Sequence, residues 1–204
     1  MGAQNIRTVT MLGFGDSARA LMRAGTLTDN IVGEVWTLNN AWDCFGDEFK
    51  ADRWFALHTD AAIEKTYRGP SGHDPWTRLD LAGCDVFMQT APHPRVRRSR
   101  PFPFRAVFER FGSNFFMGSP ALMLALAIYE GVGHIRTWGL DMADGRHAQQ
   151  RTSWAWWVHE AMVRGITFSG TALNFMREID NDEGLRGLRE RIAQDITADA
   201  VGGK

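Results

Sequence analysis

Cysteine is scarce in this chain. Cys44 and Cys84 are the only two among 204 residues. Two thiols cannot build a disulfide framework or a four-thiolate zinc site, so both read as reduced, half-buried small hydrophobes. Tyrosine is equally rare, with two, and only three lysines occur. No lysine follows a glycine-rich turn in the GxxxxGK[ST] spacing, which excludes a P-loop. The longest apolar run, Pro120 to Tyr129, is too short to span a bilayer. The N-terminus shows no charged-then-apolar leader pattern. These absences lead us to expect a soluble, cytoplasmic protein with no membrane partner. Net charge is −1 and the isoelectric point is about 6.6, so contact with a polyanion has to come from a local patch. What is abundant is bulk: eight Trp and thirteen Phe sit within a 44% hydrophobic, 23% charged composition. That composition excludes a disordered chain and supplies large rigid side chains for one core. It also supplies enough apolar material for an interface, which leaves a homo-oligomer open.

Thr8 to Leu12 is a short β-branched apolar run, followed at once by Gly13-Phe14-Gly15-Asp16-Ser17 and a helix-prone segment from Ala18 to Ala24. The order is strand, glycine turn, helix. Further strands are expected at Val35–Leu38, Trp54–Leu57, Asp85–Met88, Ile135–Trp138 and Ile166–Phe168. Helical patterns lie between them, clearest at Ala121–Tyr129 and Trp154–Arg164, each closed by glycine. Apolar strands alternating with helices imply an α/β fold with a mostly parallel sheet covered on both faces. Tyr67–Trp76 and Thr90–Phe104 read as irregular. We expect the main domain to span 1–180 and include the loop 90–105. A charged surface helix and a tail should occupy 181–204, with the helix over Asp182–Asp195 and fraying from Val201.

In open parallel sheets, ligands bind beyond the carboxyl ends of the strands. Those ends carry Gly13, Gly15, Asp16 and Ser17; then Asn39 and Asn40; then His58; then Asp141; then Ser169 and Thr171. Such residues suit ribose, base or phosphate. The glycine turn is expected to bring backbone N–H groups to a phosphate at a helix N-terminus. The same glycines could equally serve the turn alone, with Asp16 or Ser17 as cap. The dinucleotide fingerprint is incomplete, because Ala18 stands where its third glycine belongs and no acidic residue closes the second strand. Gly118-Ser119-Pro120 opens the most apolar helix and offers either a plain cap or a second phosphate-facing N-terminus. No histidine pair has metal-ligand spacing, so no metal site is expected, and no GxSxG elbow occurs to carry a serine nucleophile. His147, just past the Asp141 strand end, is the candidate general base, with Asp141 as its alternative and His58 as runner-up.

Arg95, Arg97, Arg98, Arg100 and Arg105 fall within eleven residues, and no Asp or Glu occurs from Thr90 to Phe108. A solvated charge run is the ordinary explanation. Arginine forks also suit phosphates, and Phe102 and Phe104 between them could stack on bases, so this loop is a candidate contact for DNA.

The string Gly118 to Gly131, followed by His134-Ile135-Arg136-Thr137-Trp138-Gly139-Leu140-Asp141-Met142, resembles a segment of bacterial sialyltransferases that build surface glycans. It is also similar to the related MptE-like pyrophosphokinase group. The turn Gly13 to Ser17 resembles their donor-nucleotide turn, Asn39-Asn40 the asparagine ending their second strand, and Thr167 to Leu173 their terminal strand. A set of uncharacterised phage proteins is similar at Asp52 to His58, Gly139 to Met142 and Gln150-Arg151. The resemblance implies a single Rossmann-like domain and a nucleotide-activated donor lying across the strand ends, with no essential metal and no resident cofactor. Gly13, Gly15, Asp16, Ser17, Asn39, Asn40, Ser119, Ser169 and Thr171 would hold the donor. Arg151 would steady its leaving phosphate. The expected activity is a glycosyltransferase with a nucleotide-sugar co-substrate, and the arginines and phage-like motifs suggest a hydroxymethylated pyrimidine in DNA as acceptor. The alternatives are a non-catalytic nucleotide- or DNA-binding module, and a pyrophosphokinase-like transferase acting on a small molecule.

Overall fold

Val9 to Leu12, Val35 to Leu38 and Trp54 to Ala56 are buried at every position, so these strands bury both faces, as a sheet sandwiched between helices requires. The structure, a computed structural model, describes residues 6–46, 48–68, 72–142 and 147–172. The helix expected over Asp182–Asp195 and the tail lie outside these residues. Among the described residues seven strands form one sheet: β1 (Thr8–Leu12), β2 (Glu34–Leu38), β3 (Arg53–Ala56), β4 (Asp85–Met88), β5 (Ser99–Pro101), β6 (His134–Trp138) and β7 (Thr167–Gly170). Their order is β5-β4-β3-β2-β1-β6-β7, and every pairing between them is parallel. The fold is a Rossmann-like α/β sheet.

The helices are α1 (Asp16–Arg23), α2 (Trp42–Phe45), α3 (Asp60–Thr66), α4 (Pro75–Leu81), α5 (Phe104–Phe111), α6 (Ser119–Tyr129) and α7 (Ala148–Val163). Residues from α5, α6 and α7 pack on the face of Val9, Met11, Trp36, Leu38, Phe55 and Ile135. Residues from α1 to α4 pack on the other, against Leu12, Val35, Trp54, Ala56 and Val86. α6 is buried from Ser119 to Ile128, which explains why its sequence is apolar all round. None of the described helices is long and apolar enough to cross a membrane.

Two stretches expected to be irregular are partly ordered. Thr90–Phe104 contains β5 and the start of α5. A three-residue edge strand of Ser, Arg and Pro has no apolar run to betray it. Its proline is tolerated because no strand follows on that side. Tyr67–Trp76 ends inside α4, where Asp74 caps the helix by accepting from the Thr77 N–H at 2.9 Å and Pro75 takes the first turn.

From β1 to β5 each strand lies beside its predecessor. The chain then returns along α5 and α6 to place β6 on the opposite flank of β1. Connections leaving β1 and β6 therefore run in opposite directions, and a crevice opens between their carboxyl ends.

Candidate functional site

The crevice holds a cavity of about 400 Å³, within the range of small-molecule sites. It draws on six parts of the chain. The β1–α1 turn gives Gly13, Phe14, Gly15, Asp16 and Arg19, and the end of β2 gives Leu38 and Asn39. His58 follows β3, and Gly118, Ser119 and Pro120 open α6. The end of β6 gives Gly139, Leu140, Asp141 and Met142, and the start of α7 gives His147 and Gln150. Of the expected site residues, Gly13, Gly15, Asp16, Asn39, Ser119, Asp141 and His147 meet here, and so does the runner-up His58.

The glycine turn is built for a close backbone crossing. A Cβ on Gly13 would lie 2.2 Å from the Gly139 carbonyl oxygen, and one on Gly139 would lie 2.3 Å from that of Gly13. The β1–β6 ladder continues through this crossing. Gly13 N–H donates to Trp138 O at 2.8 Å and Gly15 N–H to Gly139 O at 2.9 Å. These two amides are thus spent on β6, which corrects the expectation that they face a phosphate.

Asp141 extends the same clasp. Ser17 N–H donates to its Oδ2 at 2.8 Å, the Ser17 hydroxyl to its Oδ1 at 2.5 Å, and Gly139 N–H to Ser17 Oγ at 2.7 Å. A carboxylate from β6 therefore occupies the first turn of α1, where an external anion would otherwise be favoured. The geometry makes Asp141 and Ser17 a strut of the turn, and the histidines are better placed for proton transfer.

The N-terminus of α6 is different. Ser119 is 5% exposed and lines the cavity, and its hydroxyl has no hydrogen-bond partner among the described residues. The loop before it is clamped to α7. The Ser153 hydroxyl donates to Phe115 O at 2.7 Å, Trp157 Nε1–H to the same oxygen at 3.0 Å, and Met117 N–H to Ser153 Oγ at 3.1 Å.

At the end of β2, Asn39 adopts a left-handed φ of 51°, a conformation asparagine tolerates better than most residues. Its N–H donates to Phe55 O at 2.9 Å, and its carbonyl accepts from Trp54 Nε1–H at 2.8 Å. Burial holds the His58 imidazole below its ordinary value of 6.5, so it is neutral at pH 7 and carries a lone pair. Asn40 turns away and donates to Asp43 at 2.7 Å.

Ser169 and Thr171 lie outside the cavity and lace β7 to β6. Arg136 Nε–H donates to Ser169 Oγ at 3.0 Å, and Ser169 Oγ is 2.9 Å from His134 Nε2, whose Nδ1 is 2.8 Å from Thr167 Oγ1. The Thr171 hydroxyl donates to Thr137 O at 3.1 Å. The strand expected at Ile166–Phe168 runs over Thr167–Gly170, so Ser169 lies within it and Thr171 just past it, and among the described residues β7 is an edge strand beyond the crevice. Arg151 sits on α7, outside the cavity lining.

The five arginines each meet a carboxylate. Arg95 pairs with Asp74 at 2.8 Å, Arg97 with Asp80 at 2.9 Å, and Arg105 with Glu109 at 2.7 Å. Arg98 and Arg100 share Asp85 at 3.1 and 3.4 Å. Three of the four acids precede residue 90, so a local count misses them. β5 also stands four strands from β1, about 19 Å at ordinary strand spacing. The segment screens a sheet edge with charge and proline, the usual protection against edge-to-edge pairing.

Sequence reasoning missed Gln150, Met142 and Arg19 as lining residues. Gln150 and Arg19 lie on helices whose facing only packing sets. Met142 turns inward with a φ of 46°, for which its residue type gives no cue. The described residues contain no group of three or more metal-ligating side chains. No family model, curated protein or solved structure matches this chain.

Proposed function

We propose that this chain is a glycosyltransferase that uses a nucleotide-sugar donor and transfers the sugar to a hydroxyl. The observation that carries the reading is the meeting, in one cavity at the topological switch point, of Ser119 on the buried start of α6 with two imidazoles, His58 and His147. The α6 N-terminus and the Ser119 hydroxyl suit the donor phosphate, which gains charge as the bond to the sugar breaks. The α1 turn does not suit it, because Asp141 already stands there. The acceptor oxygen attacks the anomeric carbon, the electron pair of the broken C–O bond leaves with the phosphate, and an imidazole takes the hydroxyl proton. His147, at the start of α7, is the base in this scheme. His58 is the neutral imidazole on the facing side. Asp16, exposed at the start of α1, can accept hydrogen bonds from sugar or ribose hydroxyls.

The acceptor in this proposal is a hydroxyl of a small molecule or glycan. DNA drew its support from the phage-like motifs and from arginines that looked unopposed, and four carboxylates offset those arginines. Replacing Arg97 and Arg98 together by Ala should leave turnover and its salt dependence unchanged.

The test incubates the protein with a panel of nucleotide sugars and follows thermal stabilisation and donor consumption. A stabilising donor should be consumed, and His147→Ala should abolish consumption while retaining stabilisation. Stabilisation without consumption, unaltered by His147→Ala, would favour a binding module instead. No stabilisation by any nucleotide would remove the proposal.

A further inference from the structure

Tyr67 is one of only two tyrosines, and it is 2% exposed at the end of α3. Its hydroxyl donates to Asn39 Oδ1 at 2.6 Å. Its ring meets the His58 ring edge-on at 5.8 Å and the Trp42 ring at 6.1 Å. Trp42 in turn stacks on Trp54, whose indole N–H holds the Asn39 carbonyl. Asn39 is therefore fixed at its backbone N–H, its backbone carbonyl and its side-chain oxygen. Burial pushes the Tyr67 phenol far above its ordinary value, so it stays a protonated donor at any working pH. With Oδ1 directed at Tyr67, the planar amide turns its nitrogen the other way, and Nδ2 is the donor that Asn39 has left to offer. Among the described residues Asn39 Nδ2 has no hydrogen-bond partner, and the residue lines the cavity.

We propose that Tyr67 is a positioning residue that presents Asn39 as a pure N–H donor, making the end of β2 a reader of a nucleobase acceptor atom, a ring carbonyl oxygen or ring nitrogen. The proposal rests on the nucleotide-donor reading. If the phosphate lies on α6, on one face of the sheet, the nucleoside extends across the strand ends toward Asn39 and Tyr67 on the other. In dinucleotide folds an acidic residue at this strand end accepts from a ribose hydroxyl. Here the polarity is reversed, so the partner atom must accept.

Binding of CMP, UMP, AMP and GMP is measured by calorimetry for the wild type, Asn39→Ala, Asn39→Asp, Tyr67→Phe and the double variant Tyr67→Phe/Asn39→Ala. At least one nucleotide should bind, and Asn39→Ala should weaken it roughly tenfold. Asn39→Asp should weaken it further, because the aspartate keeps the oxygen that Tyr67 holds and turns a second oxygen on an acceptor. Tyr67→Phe should weaken binding several-fold, and the double variant should be no worse than Asn39→Ala alone. If Asn39→Asp binds as well as or better than Asn39→Ala, the ligand atom is a hydroxyl and the proposal is overturned. Additive losses from the two single variants would also overturn it. A separate readout needs no ligand: the heteronuclear NOE of the Asn39 side-chain amide in the free protein. It should be that of a rigid group in the wild type and drop in Tyr67→Phe. If no nucleotide binds but the NOE drops, the functional reading fails while the positioning role stands. An NOE unchanged in Tyr67→Phe overturns the positioning role itself.

Discussion

Glycine acts at two positions here for a reason a side chain cannot satisfy. Gly13 and Gly139 face each other backbone to backbone, and Gly139 has a φ of 69°. Gly139→Ala should cost about 3 kcal/mol, since backbone must move on both strands. Gly131 also has a positive φ, but a Cβ there meets nothing within 4 Å. Gly131→Ala should cost only the left-handed penalty, about 1–2 kcal/mol. Urea denaturation of the two variants separates collision from conformation, and equal losses would argue against the tight crossing. Asp141 offers a second residue-scale test. As a strut it holds Ser17 through a charged acceptor, and Asp141→Ala should lose about 2 kcal/mol. Asp141→Asn keeps one acceptor oxygen for Ser17 and should retain more stability and, under the proposed function, measurable transfer. A general base replaced by an amide would lose transfer altogether.

Elements show how charge is used away from the site. At the amino ends of the strands, Arg7 hydrogen-bonds Glu34 at 2.7 Å, Arg53 pairs with Glu130 at 2.7 Å, and Arg53 also lies 4.7 Å over the Trp36 ring. The hydrogen bond from Arg7 holds the Glu34 carboxyl below its ordinary value of 4.5, with a smaller contribution from Trp36. A depressed carboxylate gives stability that is present above the unfolded value and lost as pH falls through the folded one. Glu34→Gln should therefore lower the melting temperature at pH 7 and flatten its decline below about pH 4.5. An equal loss at pH 3 and pH 7 would point to packing alone. The edge strand β5 needs no such burial. Its arginine pairs are more than half exposed on the arginine side, so they contribute little stability.

The whole molecule carries a pH dependence of its own. Burial holds His58 below 6.5, and burial together with Arg136 does the same for His134. Both imidazoles take up protons more readily in the unfolded chain. Stability should fall as pH drops from about 6.5 toward the depressed folded values, then level off. Melting curves between pH 8 and pH 5 would show this slope, and His58→Gln and His134→Gln should each flatten part of it. A melting temperature flat through that interval in the wild type would contradict both assignments.

Strand-turn-helix order, the apolar core helix and the polar strand ends were legible from residue types, because hydrophobic periodicity and turn chemistry are local. Thr8–Leu12, Ser119–Tyr129 and the cluster at Asn39 and Asp141 needed no partner to announce themselves. What only the tertiary structure decided is which polar groups are already satisfied. Gly15 and Ser17 resemble an anion turn until Gly139 and Asp141, over 120 residues away, claim their donors. The five arginines look unopposed until Asp74, Asp80 and Asp85 arrive from α4 and β4. Ser169 and Thr171 sit at a strand end, yet the sheet order sends that strand to the edge. Hydrogen-bond and charge balance are set by long-range packing, so a sequence shows the donors and acceptors while the fold determines which remain for a ligand.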